Sequence, residues 1–380
     1  MKSKKIFIIY LFIIIPVFSF SQKIDPVLIT TLDEVVSETS GLIIYNNKVW
    51  THNDSGGDPK LYRIDSINGS VLEEKLILNA TNIDWEDICH DGEYLYIGDF
   101  GNNSSGTRED LKIYRILLAD LDNEQLDSVA SDIIYFTYDP SIYPEAIDKS
   151  NDTDFDCEAF IAKDDSLYLF SKNWVNKKCY LYSLPKVPGH YMAQRLDTLD
   201  TQGLVCGADY NPETNTIALI GYVYGIPAPS FLVVLSDFDN NDFFGGNNLR
   251  YELSLNGYQT EAIIFRDNDR LWFSNENFLG HVQSLYEIKL STLGLKEENL
   301  HSVCEIYPNP TNDKISIMVN LPGKIKYSIS DAKGNCMIKT SKKQFVNQVL
   351  DIDVSLLPAG IYFIELLGQN YKIQSKFIKL

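Results

Sequence analysis

Asp84-Trp85-Glu86-Asp87-Ile88-Cys89, a turn at Asp91-Gly92, and Tyr94-Leu95-Tyr96-Ile97-Gly98-Asp99 make up the stretch on which the fold turns. Two short apolar runs around an Asp-Gly turn predict a β-hairpin. The pattern returns in Asp156-Cys157-Glu158-Ala159-Phe160-Ile161 with Leu167-Tyr168-Leu169-Phe170, and in Thr260-Glu261-Ala262-Ile263-Ile264-Phe265 with Leu271-Trp272-Phe273. Weaker copies are Ser40-Gly41-Leu42-Ile43 with Val49-Trp50, and Gly207-Ala208-Asp209-Tyr210 with Ile217-Ala218-Leu219. Ser40, Glu86, Glu158, Gly207 and Glu261 align as the repeated first-strand position.

Each hairpin is followed by an alternating third strand: Leu61-Tyr62-Arg63-Ile64, Lys112-Ile113-Tyr114-Arg115-Ile116, Cys179-Tyr180-Leu181-Tyr182, Phe231-Leu232-Val233-Val234 and Leu285-Tyr286-Glu287-Ile288. More polar fourth strands fit residues 71–78, 132–138, 192–199 and 249–255. Repetition of such a unit predicts an all-β chain built on a β-propeller with four-stranded blades. Five blades are expected, with six as the alternative, because the step from Glu86 to Glu158 is long enough to conceal a degenerate unit. Asp139 to Asp154, rich in Pro, Asp and Asn, reads instead as an insertion. Val27-Leu28-Ile29-Thr30-Thr31 is left over at the N-terminal side and would supply the fifth blade's missing outer strand, closing the ring and removing exposed edges. A pair of β-sandwiches is the competing architecture.

Residues 1–21 carry Lys2, Lys4 and Lys5, an apolar run from Ile6 to Phe18, and Ser19 and Ser21, which is the order of a secretory signal peptide. No other segment has the roughly 20 apolar residues that span a bilayer, so no transmembrane span is expected in the mature chain. The six cysteines, Cys89, Cys157, Cys179, Cys206, Cys304 and Cys336, show no C-x-x-C spacing and read mainly as small buried hydrophobes.

Charge divides the chain. Residues 306–380 hold ten Lys and five Asp or Glu, whereas residues 22–305 hold 20 basic and 47 acidic side chains, a net of −27. A domain this acidic repels nucleic acid and anionic lipid heads, so nucleic acid is excluded as a partner.

The tail carries Ile306-Tyr307-Pro308-Asn309-Pro310, the turn Asp331-Ala332-Lys333-Gly334, Leu356-Leu357-Pro358-Ala359-Gly360-Ile361-Tyr362-Phe363-Ile364, and a terminal Lys376-Phe377-Ile378-Lys379-Leu380. In these four ordered motifs it closely resembles the type A C-terminal sorting domain of the type IX secretion system of Bacteroidetes. Alternation in Ile315-Ser316-Ile317 and Lys326-Tyr327-Ser328-Ile329 independently indicates a small Ig-like β-sandwich. The resemblance implies docking of 306–380 with the outer-membrane translocon and removal by its sorting peptidase. It often implies transfer of the passenger to surface lipopolysaccharide as well. The expected organisation is therefore a signal peptide at 1–21, a propeller at 22–300, a linker at 301–305 and a sorting domain at 306–380, with a destination outside the cell or on its outer surface, reached via the periplasm.

A propeller's inner strands line one channel, so residues recurring at their starts converge from all blades onto one mouth. Glu86, Glu158 and Glu261, with Asp84, Asp87 and Asp156 beside them, are the candidate ligand residues. Asp99, Asn102, Asn275 and Glu276 follow from the ends of the second strands, where Asn53, Asp54 and Asn173 also lie. Carboxylates and amides at one mouth suit a hard cation, and Ca²⁺ held by Glu86, Glu158 and Glu261 is the metal expectation. Propeller hydrolases of the lactonase and phytase-like kinds resemble this arrangement, but no signature transfers a catalytic residue. Structural capping of loop N–H groups is the competing role for each acid. Trp50, Trp85 and Trp272 are expected to pack between blades. H-E-x-x-H and G-x-S-x-G are absent, and Asn53-Asp54-Ser55-Gly56-Gly57, with no Lys directly after its last Gly and no helix following, is a turn rather than a phosphate loop.

Overall fold

The computed structural model describes residues 23–144, 147, 149–293, 304–319, 323–331, 335–339, 343–345, 348–367 and 372–380. The expected signal peptide lies outside the described residues.

Five antiparallel sheets form the large domain. Blade 1 runs from the axis outward through Thr39–Tyr45, Lys48–Asn53, Lys60–Ile64 and Val71–Leu78. Blade 2 uses Trp85–His90, Tyr94–Asp99, Lys112–Leu117 and Asp132–Thr137. Blade 3 uses Cys157–Lys163, Ser166–Ser171, Cys179–Pro185 and Gln194–Leu199, and blade 4 Leu204–Asn211, Thr216–Tyr222, Pro229–Ser236 and Asn247–Asn256. Blade 5 has Thr260–Phe265, Arg270–Asn275 and Ser284–Lys289, and its outer strand is the N-terminal Val27–Thr31.

The innermost strands touch in the cycle of blades 1, 2, 3, 4, 5 and back to 1, so the ring is closed with five blades. The long step after Glu86 is an insertion: no strand is described between Thr137 and Cys157. Closure is antiparallel, with Val27 opposite Glu287 and Thr31 opposite Ser284. Past this strand, the Leu32 amide donates to the Gln283 carbonyl at 3.0 Å and the Gln283 side-chain amide donates back to the Leu32 carbonyl at 3.1 Å.

Inner and second strands are buried on both faces because each blade is sandwiched between two others, which is why they read as near-continuous apolar runs. Outer strands such as Val71–Leu78 bury alternate residues and read as mixed. One apolar cluster lies at each of the five blade interfaces. Trp50 and Trp85 fill the interface of blades 1 and 2, and Trp272 that of blades 5 and 1, as expected for interblade packing.

Three short strands were not foreseen. Ser128–Ala130 adds in parallel to the outer strand of blade 1, Gly189–Met192 to that of blade 2, and Lys23–Ile24 to that of blade 4. Each of the first two leaves the blade that follows and covers part of its neighbour's outer edge, limiting the unpaired N–H and C=O groups there.

The tail is a separate β unit with two sheets. Cys304–Tyr307, Lys314–Val319 and Gln348–Asp353 form one; Cys336–Lys339, Gly323–Asp331, Gly360–Leu367 and Lys372–Lys379 form the other, with Lys343–Phe345 on Gly323–Asp331. Ile315, Ile317, Ile329, Ile352, Ile364 and Phe377 are buried in its core. Pairing of Cys304–Tyr307 with Lys314–Val319 begins this unit slightly ahead of the expected boundary at 306, inside the stretch read as linker.

Candidate functional site

Every inner strand carries a β-bulge near its start, between Thr39 and Leu42, Trp85 and Ile88, Cys157 and Ala159, Val205 and Gly207, and Thr260 and Ile263. A bulge leaves residues unpaired and re-aims their side chains. The equivalent positions are Ser40, Glu86, Glu158, Cys206 and Glu261, which corrects the sequence alignment in blade 4 by one residue, from Gly207 to Cys206. The slip arose because blade 4 has Cys206, not an acid, at this position, so no repeated residue type marked the alignment there. On the second strands the residues paired with the start of each bulge are Asn53, Asp99, Ser171, Gly221 and Asn275, and the residues that follow them are Asp54, Phe100, Lys172, Tyr222 and Glu276.

The side chains meet as three overlapping sets: Asp54, Asp84 and Glu86; Glu86, Asp156 and Glu158; and Glu158, Cys206 and Glu261. Within each, one ligand-type atom per residue lies within 4.8 Å of the others. The repeated glutamates therefore converge, but Glu86 and Glu261 belong to different sets joined through Glu158.

Lys172 divides this acidic pit. Its ammonium contacts Glu158 directly, both side chains being only 4% exposed, and lies over the rings of Trp174 at 5.1 Å and Tyr222 at 5.2 Å. Glu158, Cys206 and Glu261 surround it and hold its pKa above the ordinary lysine range, against burial. The side of the pit formed by blades 3 to 5 is thus compensated by a charge of the protein's own, and a metal at the Glu158–Cys206–Glu261 set would have to displace that ammonium.

Among the described residues no cation contacts the Asp54–Asp84–Glu86 side directly, and Lys172 lowers the Asp54 and Asp84 pKa values only from a distance. Arg108 lowers the Asp84 pKa somewhat, but its guanidinium is spent on Asp99 at 2.9 Å and Asp110 at 3.1 Å. Like charges no more than 4.8 Å apart would, if all were ionised, repel by at least roughly 3.5 kcal/mol per pair at an effective dielectric constant of about 20. Burial, with Asp84 and Glu261 near Asp54 and with Glu158 and Asp54 near Glu86, pushes these two carboxyls well above the usual range, and burial with Asp156 and Asp99 raises Asp84 to about 6. Burial likewise raises Glu261 and Glu276 to about 7.

Donor chemistry on this side fits a hard cation. All ligand atoms are carboxylate oxygens, and Asp54 Oδ1 is buried without a hydrogen-bond partner. Gly101 is required next to them: a Cβ there would lie 2.0 Å from Glu86 Oε1 and 2.4 Å from Asp84 Oδ2.

Other expected site residues brace the mouth. Asp99 is fully buried and accepts from Arg108 and the Asp84 amide, with Lys112 at 3.3 Å. Asn102 donates its amide N–H to Asp156 Oδ1 at 2.7 Å and its side-chain NH₂ to Tyr143 Oη and the Phe155 carbonyl. Asp156 accepts further from the Cys157 amide and from Trp174 Nε1 at 2.7 Å. Asp87 lies deeper on the axis, taking N–H groups from Ile88, Phe160 and Ala208 at 2.8, 3.1 and 3.3 Å, and so ties blades 2, 3 and 4 together. Asn275 donates to the Glu276 and Val282 carbonyls, leaving its buried Oδ1 without a partner. Sequence reasoning missed Lys172, Cys206, Trp174 and Tyr222. Lys172 could have been found by aligning second-strand ends, since it follows Ser171 as Asp54 follows Asn53 and Glu276 follows Asn275.

Cys89, Cys157, Cys179 and Cys206 are buried free thiols, and Cys336 is an exposed one. No described helix is long and apolar enough to cross a membrane.

Among known proteins, no curated sequence matches the chain. Among solved structures, similarity extends to an exo-β-1,3-galactanase from Phanerochaete chrysosporium bound to β-1,3-galactotriose, with 8% identity, TM-score 0.44, and coverage of 93% of this chain and 98% of that one. A β-fructofuranosidase from Bombyx mori gives 11%, 0.39, and 93% and 87%. The periplasmic gluconolactonase of Pseudomonas aeruginosa gives 11%, 0.32, and 86% and 98%. No residue role is carried over from these. The family model described as secretion system C-terminal sorting domain matches residues 305–380. The tail is thus a type IX secretion sorting domain, and the chain it ends is an exported β-propeller protein that is attached to the cell surface or released from it.

Proposed function

We propose that this is an exported binding protein that takes a positively charged group at the acidic mouth of its propeller, with Asp54, Asp84 and Glu86 as its hard-cation position and Ca²⁺ as the fitting ion. The observation that carries this is the asymmetry of the pit: Lys172 neutralises the Glu158–Glu261 side, while the Asp54–Asp84–Glu86 side holds crowded carboxyls and a buried oxygen without a partner. Calcium titration of the mature chain at pH 7.5 by calorimetry should show one site, weakened at least tenfold in Asp54→Asn and in Glu86→Gln. A wild-type chain that binds no calcium would overturn the assignment.

A second reading, a calcium-dependent hydrolase acting on a phosphoester, lactone or glycan, is favoured by the carboxyls held near neutrality. Glu261 and Glu276, outside the proposed cation position and raised to about 7, are poised for proton transfer near physiological pH. A hydrolase substrate screen with Glu86→Gln and Glu158→Gln controls tests it; activity indifferent to both changes removes these residues from the mechanism.

For the tail, the partners follow from its class: the type IX translocon and its sorting peptidase. Anchoring to surface lipopolysaccharide belongs to the same proposal and should appear as a ladder of slower-migrating species on immunoblots of outer membranes. Residues 1–21 are read as a leader, which mass measurement of the secreted protein checks.

A further inference from the structure

Around the acidic pit the loops are apolar. Ile226 is fully exposed, Leu279 78% and Tyr224 63%, and Val175, Phe278 and Val282 stand out beside them. All belong to the connections between second and third strands of blades 3, 4 and 5, at the same end of the barrel as Glu86, Glu158 and Glu261. On the loops of the opposite end the large exposed apolar side chains are Ile67 and Val187. The apolar loops are tied to the pit itself: Trp174 donates to Asp156 and packs edge-on against Tyr224 at 5.6 Å, and Asn275 Nδ2 donates to the Val282 carbonyl at 3.1 Å.

We propose that this face docks an extended segment of another protein in which a basic side chain is flanked by apolar ones, the basic group entering the pit beside Asp54, Asp84 and Glu86. The inference rests on the cation-binding reading above and names its partner class. Charge complementarity selects the basic group, since the pit is acidic and the propeller's net charge repels anionic surfaces. The rim selects a polypeptide: a metal ion alone makes no use of Val175, Ile226 and Leu279, whereas an anchor such as Arg, surrounded by contacts that exclude water, is one form of a protein interaction hot spot, and exposed apolar patches mark such surfaces.

The test is fluorescence anisotropy of the full mature chain with three labelled decapeptides: alternating Leu and Lys, the same with Glu for Lys, and the same with Ser for Leu. The Leu/Lys peptide should bind at least tenfold more tightly than either control, and calcium should compete with it. Ile226→Ser combined with Leu279→Ser should weaken the peptide at least tenfold while leaving calcium titration unchanged, which also shows that the variant is folded. Equal binding of all three peptides, or a rim variant that binds as well as wild type, overturns the inference. If calcium binds and the peptide does not, the docking inference fails and the cation site stands; if neither binds, both fail. Cosedimentation with phosphatidylcholine vesicles without peptide binding would assign the rim to a lipid surface. Concentration-dependent dimerisation lost in the rim variant, without peptide binding, would assign it to a second copy. Either result overturns the proposal.

Discussion

Replacing Lys172 by Met retains most of its volume and deletes its charge, leaving Glu158 without its ion-pair partner in a site where both side chains are 4% exposed. Breaking a buried pair by removing one partner typically costs about 3–5 kcal/mol, because an uncompensated charge remains. For a domain of this size each kcal/mol lowers Tm by roughly 2–4 °C, so the loss at pH 8 should be at least about 6 °C. The cost must also depend on pH. Burial and the neighbouring acids already raise the Glu158 pKa, and removal of the ammonium raises it further. A carboxyl whose folded pKa is raised contributes stability that is present below its unfolded value near 4.5 and lost as pH rises through the folded value. At low pH the variant can protonate Glu158 and recover up to about 1.4 kcal/mol per pH unit, so the deficit should shrink steadily from pH 8 to pH 5. Differential scanning calorimetry of both proteins across that range measures it. A deficit that is constant with pH, or below about 1 kcal/mol at pH 8, would refute the claim that Lys172 is the pit's counter-charge.

Calcium-free wild-type protein should itself lose stability as pH rises from about 4 to about 8, because the folded state raises Asp84, Glu261 and Glu276 to about 6, 7 and 7; thermal scans in chelator show the decline, and saturating calcium should remove the part of it owed to Asp84. Toward pH 2 the sign reverses: Asp91, held down at about 2 by the Tyr94 and Glu93 amides, Lys186 and Tyr96, loses its stabilising charge, so acid unfolding should follow. Gly101→Ala should leave Tm within about 3 °C, since the groups it meets are the movable ends of Glu86 and Asp84, yet weaken calcium at least tenfold by calorimetry. Removing residues 23–31 deletes the closing strand and should lower Tm by more than about 10 °C or abolish a cooperative transition, because it exposes the edge of Ser284–Lys289. Deleting residues 306–380 should retain the propeller in the periplasm, read by immunoblot of cell fractions; efficient export of the truncated chain would refute the sorting role.

Much of the architecture was legible in the sequence because a propeller repeats its physics. Each blade faces the same environment, so the hairpin at Trp85–Asp99 recurs at Cys157–Ser171 and Thr260–Asn275 with the same apolar runs and turns. Val27–Thr31 could be placed as the closing strand because it was the one strand-like run without a blade. The parallel edge strands, Ser128–Ala130 and Gly189–Met192, were not legible: they are too short for periodicity to register and are held by a neighbour distant in sequence.

The amino-acid order by itself determined that acids recur at inner-strand starts and that a sorting tail follows, since composition and local spacing are properties of the chain. Which acids are spent and which stand ready was decided only by tertiary structure. Asp99 and Asp87 look the same as Glu86 along the chain, but Arg108, Lys112 and the Phe160 and Ala208 amides reach the first two, and Lys172 arrives at Glu158 from the far end of its hairpin. The electrostatic state of a carboxyl depends on distance and burial through space, and both are set when the ring closes.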